Sequence, residues 1–126
     1  MNILLIEPDF VLSQIYSKFL KSRGHKVDIT DSAGSSIEIL EETSVDIIII
    51  ELQIAKHNGI ELLHEIRSYT EWQNIPVIVN SFIPTEIIGI NDKLFREFNI
   101  VGYLYKPITS LDNLLDSIES LQTVNT

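Results

Sequence analysis

Glu51 closes the run Val45-Asp46-Ile47-Ile48-Ile49-Ile50, so one carboxylate stands at the end of what must be a buried strand. Three other polar residues repeat the arrangement. Glu7 ends Ile3-Leu4-Leu5-Ile6, Ser81 follows Pro76-Val77-Ile78-Val79-Asn80, and Lys106 follows Ile100-Val101-Gly102-Tyr103-Leu104-Tyr105. In a parallel α/β sheet such ends converge on one edge, the crevice where these folds bind ligands. Two carboxylates, a hydroxyl and an ammonium meeting there can pair with one another or hold a charged group. A partly buried acid is most often a hydrogen-bonded or ion-paired structural group, and Lys106 is the evident partner of Glu51. No nucleophile is paired with a base, so no catalytic residue is assigned and an enzyme is the remote alternative.

The elements that must position these residues are legible in the hydrophobic pattern. Apolar runs of four to six residues alternate with stretches of helical periodicity, which predicts repeated βα units and a mostly parallel sheet. Strands are expected near 2–6, 25–30, 46–51, 76–80 and 101–105. Four of them are nearly continuous in apolar residues, as expected where helices cover both faces. His25-Lys26-Val27-Asp28-Ile29-Thr30 alternates instead, which marks an edge strand and fits the order 2-1-3-4-5 of a doubly wound, flavodoxin-like (βα)5 domain spanning 1–126.

Five helices should follow the strands. Asp9 caps the first, which runs to about Ser22 with Val11, Leu12, Ile15, Phe19 and Leu20 toward the sheet; Gly24 stops it. Asp31 or Ser32 caps the second, with Ala33, Ile37 and Leu40 inward. The third extends from Asn58 or Gly59 to Ser68 on Ile60, Leu63 and Ile66. Pro84 or Thr85 opens the fourth, which carries Ile87, Ile88, Ile90, Leu94, Phe95 and Phe98, and the fifth follows Pro107 with Ile108, Leu111, Leu114, Leu115, Ile118 and Leu121. The segment Phe82–Ile90 is more apolar than a loop and helix start require. It reads as core around the fourth helix or as a docking surface.

Composition narrows the classes further. The 126 residues carry 44% hydrophobic side chains, enough for one domain that buries roughly two thirds of its unfolded surface. Nine Lys and Arg against eighteen Asp and Glu give a net charge of -9, with no basic cluster, so nucleic acid is not an expected partner. The absence of cysteine removes disulfides and thiolate chemistry. No apolar run approaches the roughly eighteen residues of a membrane span, and the expected compartment is the cytoplasm. His25, His57 and His64 are too scattered for a metal motif and are expected on the surface or in loops. Trp72 should cover the third helix or the loop after it. The five glycines form no phosphate-cradling loop, which argues against a flavin or nucleotide enzyme.

In the order of these strand ends the chain resembles the receiver domain of two-component response regulators. The resemblance implies that Glu7 matches the first of two acids that hold magnesium, with Pro8 in place of the second. Glu51 stands where an aspartate accepts a phosphoryl group, Ser81 where the switch hydroxyl lies, Tyr103 at the aromatic switch position, and Lys106-Pro107 at the family's Lys-Pro. Gly59 matches the glycine after the acceptor loop. By the same resemblance, Glu7, Glu51 and the carbonyl of Gln53 would be what remains of the metal set. Pro8 supplies no side-chain oxygen, and Glu51 reaches about one bond length further than aspartate, so magnesium is expected to bind weakly or not at all. Phosphoryl transfer relies on positioning and charge neutralisation, and both are impaired.

The expected function is therefore a receiver-like signalling or interaction module that is not phosphorylated. A working receiver with an unusual site is the main alternative. A third is a domain fixed in one signalling state, because a longer carboxylate can approach the lysine and the hydroxyl partly as an aspartyl phosphate does. A signalling protein or output domain is the expected partner. A homodimer would use the fourth helix, fifth strand and fifth helix.

Overall fold

The structure, a computed structural model, describes residues 1–54 and 57–124. Five parallel strands, β1 (Asn2–Ile6), β2 (Lys26–Thr30), β3 (Ile47–Ile50), β4 (Val77–Ser81) and β5 (Ile100–Tyr105), form one sheet in the order β2-β1-β3-β4-β5. This is the predicted doubly wound order. Parallel pairing requires crossovers, which α1 (Phe10–Ser22), α2 (Ala33–Glu42), α3 (Gly59–Arg67) and the pair α4 (Thr85–Ile88) and α5 (Asp92–Glu97) supply, while α6 (Leu111–Val124) follows the last strand. A two-residue antiparallel ladder, Gln53–Ile54 against His57–Asn58, sits between β3 and α3.

Strand side chains alternate between faces, which makes two cores from one sheet. Leu4, Ile6, Ile48, Ile50, Val77 and Val79 pack with Leu62, Leu63, Ile66 and Phe98 on one side. Ile3, Leu5, Ile47, Ile49 and Ile78 pack with Leu20, Leu114, Leu115 and Ile118 on the other. Both faces of β3 are thus sealed, and its four isoleucines are buried.

Helix starts follow the capping chemistry of the sequence. Asp9, Ser32 and Asn58 accept from the backbone N–H groups of Leu12, Ser35 and Glu61, each a cap worth about 1 kcal/mol. The face of α1 departs from expectation. Val11 is 64% exposed and Ile15 44%, whereas Ser13, Ser17 and Leu20 are buried. Small serines let the helix approach the sheet, and Ser13 Oγ donates to the carbonyl of Phe10, which removes its need for water. In α3 the inward set includes Leu62 as well as Leu63 and Ile66, while Ile60 is only partly buried.

Three further expectations change. The fourth helix is two, because Gly89 adopts a left-handed φ of 73° after only one turn and Asn91 caps a fresh start. Ile87 and Ile108 point outward; Ile108 belongs to a 3-10 turn that precedes α6. His25 is buried, not superficial, with Nδ1 at 3.2 Å from the amino terminus and burial lowering its pKa. His64 is exposed and meets Phe98 edge-on, the side chain of His57 lies outside the described residues, and Trp72 is buried in the turn after α3 against Tyr69.

Candidate functional site

Glu7, Glu51, Ser81 and Lys106 follow or end four adjacent strands, and the parallel register brings them together at the carboxyl edge of the sheet. All four are buried. Glu51 is anchored from its own backbone, whose N–H donates to the carbonyl of Ile6 at 2.9 Å. Behind it the chain turns sharply, and Gly59 crosses Leu52 with a 2.7 Å hydrogen bond to the Leu52 carbonyl. A Cβ at position 59 would lie 2.8 Å from Leu52 Cα and 3.2 Å from the Glu51 carbonyl oxygen, so only glycine fits beside the acid's loop.

Lys106 Nζ lies 2.6 Å from Glu7 Oε1 and 2.8 Å from Glu51 Oε1. Burial pushes its pKa down, but the hydrogen bonds and charges of Glu51 and Glu7 outweigh burial and leave it above the ordinary lysine value of 10.5. The ammonium is therefore a fixed cation. Glu7 Oε2 also accepts from the N–H of Asp9, tying the site to the start of α1.

The carboxylate of Glu51 is fully engaged. Oε1 accepts from Lys106 Nζ at 2.8 Å and from the N–H of Phe82 at 3.2 Å; Oε2 accepts from the N–H of Gln53 at 3.2 Å and from Ser81 Oγ in a short hydrogen bond. Ser81 Oγ in turn accepts from the N–H of Ile83 at 3.0 Å. The phenol of Tyr103 donates to the Ile83 carbonyl, and burial, then the nearby Glu51 charge, raises its pKa. One chain of hydrogen bonds thus runs from the carboxylate through Ser81 and Ile83 to Tyr103. The Phe82 ring, half exposed, covers Lys106 Nζ with its centroid 4.7 Å away.

Magnesium does not fit this donor set. Both carboxylates are directed at the lysine, and Pro8 offers no side-chain oxygen to replace them. Among the described residues no group of three or more acidic or histidine side chains is arranged to hold a metal ion. The strand-end pattern brought Glu7, Glu51, Ser81 and Lys106 together, and the family resemblance added Tyr103. It missed Phe82, whose amide and ring both serve the site. The signal available was its place directly after Ser81 at the head of an unusually apolar segment.

Comparison with known proteins agrees with this architecture. Residues 3–119 match the response regulator receiver domain, and the chain belongs to that family. Among curated relatives, "Probable transcriptional regulator ycf29" of Porphyra purpurea is 29% identical over 122 residues, covering 95% of this chain and 56% of that protein. "Hybrid signal transduction histidine kinase B" of Dictyostelium discoideum is 32% identical over 128 residues, covering 94% of this chain but 6% of that protein. A two-component response regulator from Clostridium difficile shares the fold with a TM-score of 0.82 at 22% identity, covering 100% of this chain and 99% of the other. The chain spans about half the length of the first curated relatives it matches. Receiver domains are signalling modules that work with histidine kinases or output domains. Among the described residues no helix is long and apolar enough to cross a membrane.

Proposed function

We propose that this receiver domain acts as a signalling and interaction module that is not phosphorylated at Glu51, with the glutamate itself serving as the permanent anion of its pocket. The observation that carries this reading is the saturation of the Glu51 carboxylate by the Ser81 hydroxyl, the Lys106 ammonium and two backbone N–H groups. By the family resemblance, an incoming phosphoryl group would need that hydroxyl and that ammonium. Here they are already taken. Glu51 brings one negative charge where an acyl phosphate brings nearly two, so it occupies the seat without reproducing its full field. The Ser81–Ile83–Tyr103 chain holds the β4–α4 connection in one arrangement, and a single set state is the consequence.

Such a module acts by binding, not by catalysis, in a two-component or phosphorelay pathway of the cytoplasm. Its partner is a signalling protein or an output domain. The surface of α4, β5 and α6 keeps Ile87, 74% exposed, and Val101, 46% exposed, available for that contact.

Intact-mass measurement with a small phosphodonor and magnesium tests the reading. The wild-type mass should stay unchanged, whereas Pro8→Asp with Glu51→Asp should gain one phosphoryl group, since transfer needs the restored acid and the shorter acceptor together. A stoichiometric gain in the wild type, lost in Glu51→Gln, would overturn the proposal. A folded double variant that stays inert would show that the two replacements alone do not account for the loss.

A further inference from the structure

A second feature lies away from the pocket, where α1 and α6 run side by side in the same direction. Between them is a groove of about 360 Å³ lined by Ile15, Lys18, Phe19, Ser22 and Leu111. Val11, 64% exposed, and Ile108, 79% exposed, are further unpartnered apolar side chains of α1 and of the turn leading into α6. An apolar groove open on the surface of a domain commonly marks a contact site.

The two walls of the groove differ in charge. From Phe10 to Val27 the chain has Lys18, Lys21, Arg23 and Lys26 and no acid, although the whole molecule carries -9. On α6, Asp112 and Asp116 are exposed one turn apart and follow Leu111 and Leu115 round the side turned to α1. Glu119 continues that side, and its charge reaches His25 at the foot of α1. Lys18, Arg23, Asp112 and Asp116 form no salt bridge among the described residues; Arg23 lies over the Phe19 ring at 5.1 Å.

A purely acidic partner would be repelled by one wall and a purely basic one by the other. We infer that the α1–α6 groove is an isologous interface for a second copy of this chain, in which the basic wall of each protomer meets the acidic wall of its partner across a shared apolar centre. A twofold axis lying along the groove does this. It places α1 opposite the partner's α6 and preserves the level of each residue along the helices, so Lys18 and Arg23 come to face Asp112 and Asp116 of the partner subunit. This goes beyond the state of the pocket, since no pocket residue lines the groove, and it is a different surface from α4 and β5.

Sedimentation equilibrium over a wide concentration range, with amide spectra to show that each variant is folded, provides the test. One variant carries Lys18→Glu and Arg23→Glu, so both walls are acidic; the other carries Asp112→Lys and Asp116→Lys, so both are basic. Each alone should dimerise at least about tenfold more weakly than the wild type, and an equimolar mixture should recover a heterodimer. Ile15→Lys should weaken association, while Ile87→Lys on α4 should leave it unchanged. A wild type that stays monomeric at millimolar concentration, a mixture that fails to pair, or a dimer abolished only by Ile87→Lys would each overturn the inference.

Discussion

Two cations, the buried Lys106 and the partly buried Arg67, sit at opposite edges of the sheet, and the protein satisfies them in different ways. At the carboxyl edge Lys106 is held by two carboxylates, and its pKa is raised. At the amino edge Arg67, at the end of α3, donates to the carbonyls of Phe98, Trp72 and Ile75, and burial lowers its pKa. The guanidinium fork suits several carbonyls at once and clips α3 to the starts of β4 and β5. It carries its charge into a purely neutral cage. The ammonium, by contrast, is one of three charges that depend on each other. The amino edge is therefore a structural clasp, and the carboxyl edge is a place where changing one charge changes every neighbour.

Removing each cation breaks the comparison most directly. Lys106→Met leaves Glu7 and Glu51 buried together without their cation, and should lower unfolding stability by about 3–5 kcal/mol at neutral pH. Adding Glu51→Gln should restore part of that loss. Denaturant titration reads both, and a loss below about 1 kcal/mol would mean that water reaches the carboxylates freely. Arg67→Met strands carbonyls but no opposing charge, so a smaller loss of about 1–3 kcal/mol is expected, with no rescue by any change at Glu51.

Alkaline titration sharpens the contrast with the smallest effect. A raised lysine pKa means that the folded state holds the proton more tightly than the unfolded one, so this stabilisation is complete below 10.5 and lost as pH climbs through the folded value. Tyr103, raised from 10.0 mainly by burial, acts in the same direction and window. Wild-type stability should therefore fall above about pH 10, less steeply in Tyr103→Phe and less still when Lys106→Met is added. An identical alkaline slope in all three proteins would remove the site from the explanation.

Much of this was readable from residue order. Uninterrupted apolar strands, one alternating strand and polar residues at strand ends were enough for the sheet order and for the meeting of Glu7, Glu51, Ser81 and Lys106. What stayed hidden depended on contacts that a periodic pattern does not encode. Ser13 and Ser17 share the inner face of α1 with Leu20 because small side chains allow close approach, so counting only apolar residues misplaces part of that face. Val11 and Ile15, apolar at helical spacing, point outward instead. The break at Gly89 was masked by isoleucines on both sides of it. Arg67 gave no signal at all, since its partners are backbone carbonyls contributed by two separate segments, the turn after α3 and the approach to β5. The second hydrogen bond to Glu51 Oε1 comes from a main-chain amide, which any residue at 82 except proline could supply.

The crossing of Gly59 over Leu52 has a consequence in evolutionary terms. No side chain fits at position 59, whatever acid stands at 51, because the obstruction is backbone. Selection for a folded protein alone therefore keeps the glycine in place after selection for any chemistry at 51 has lapsed. The two kinds of change are separable: a lineage can exchange its acids while the turn that presents them persists, and a later lineage inherits that turn ready for another acid.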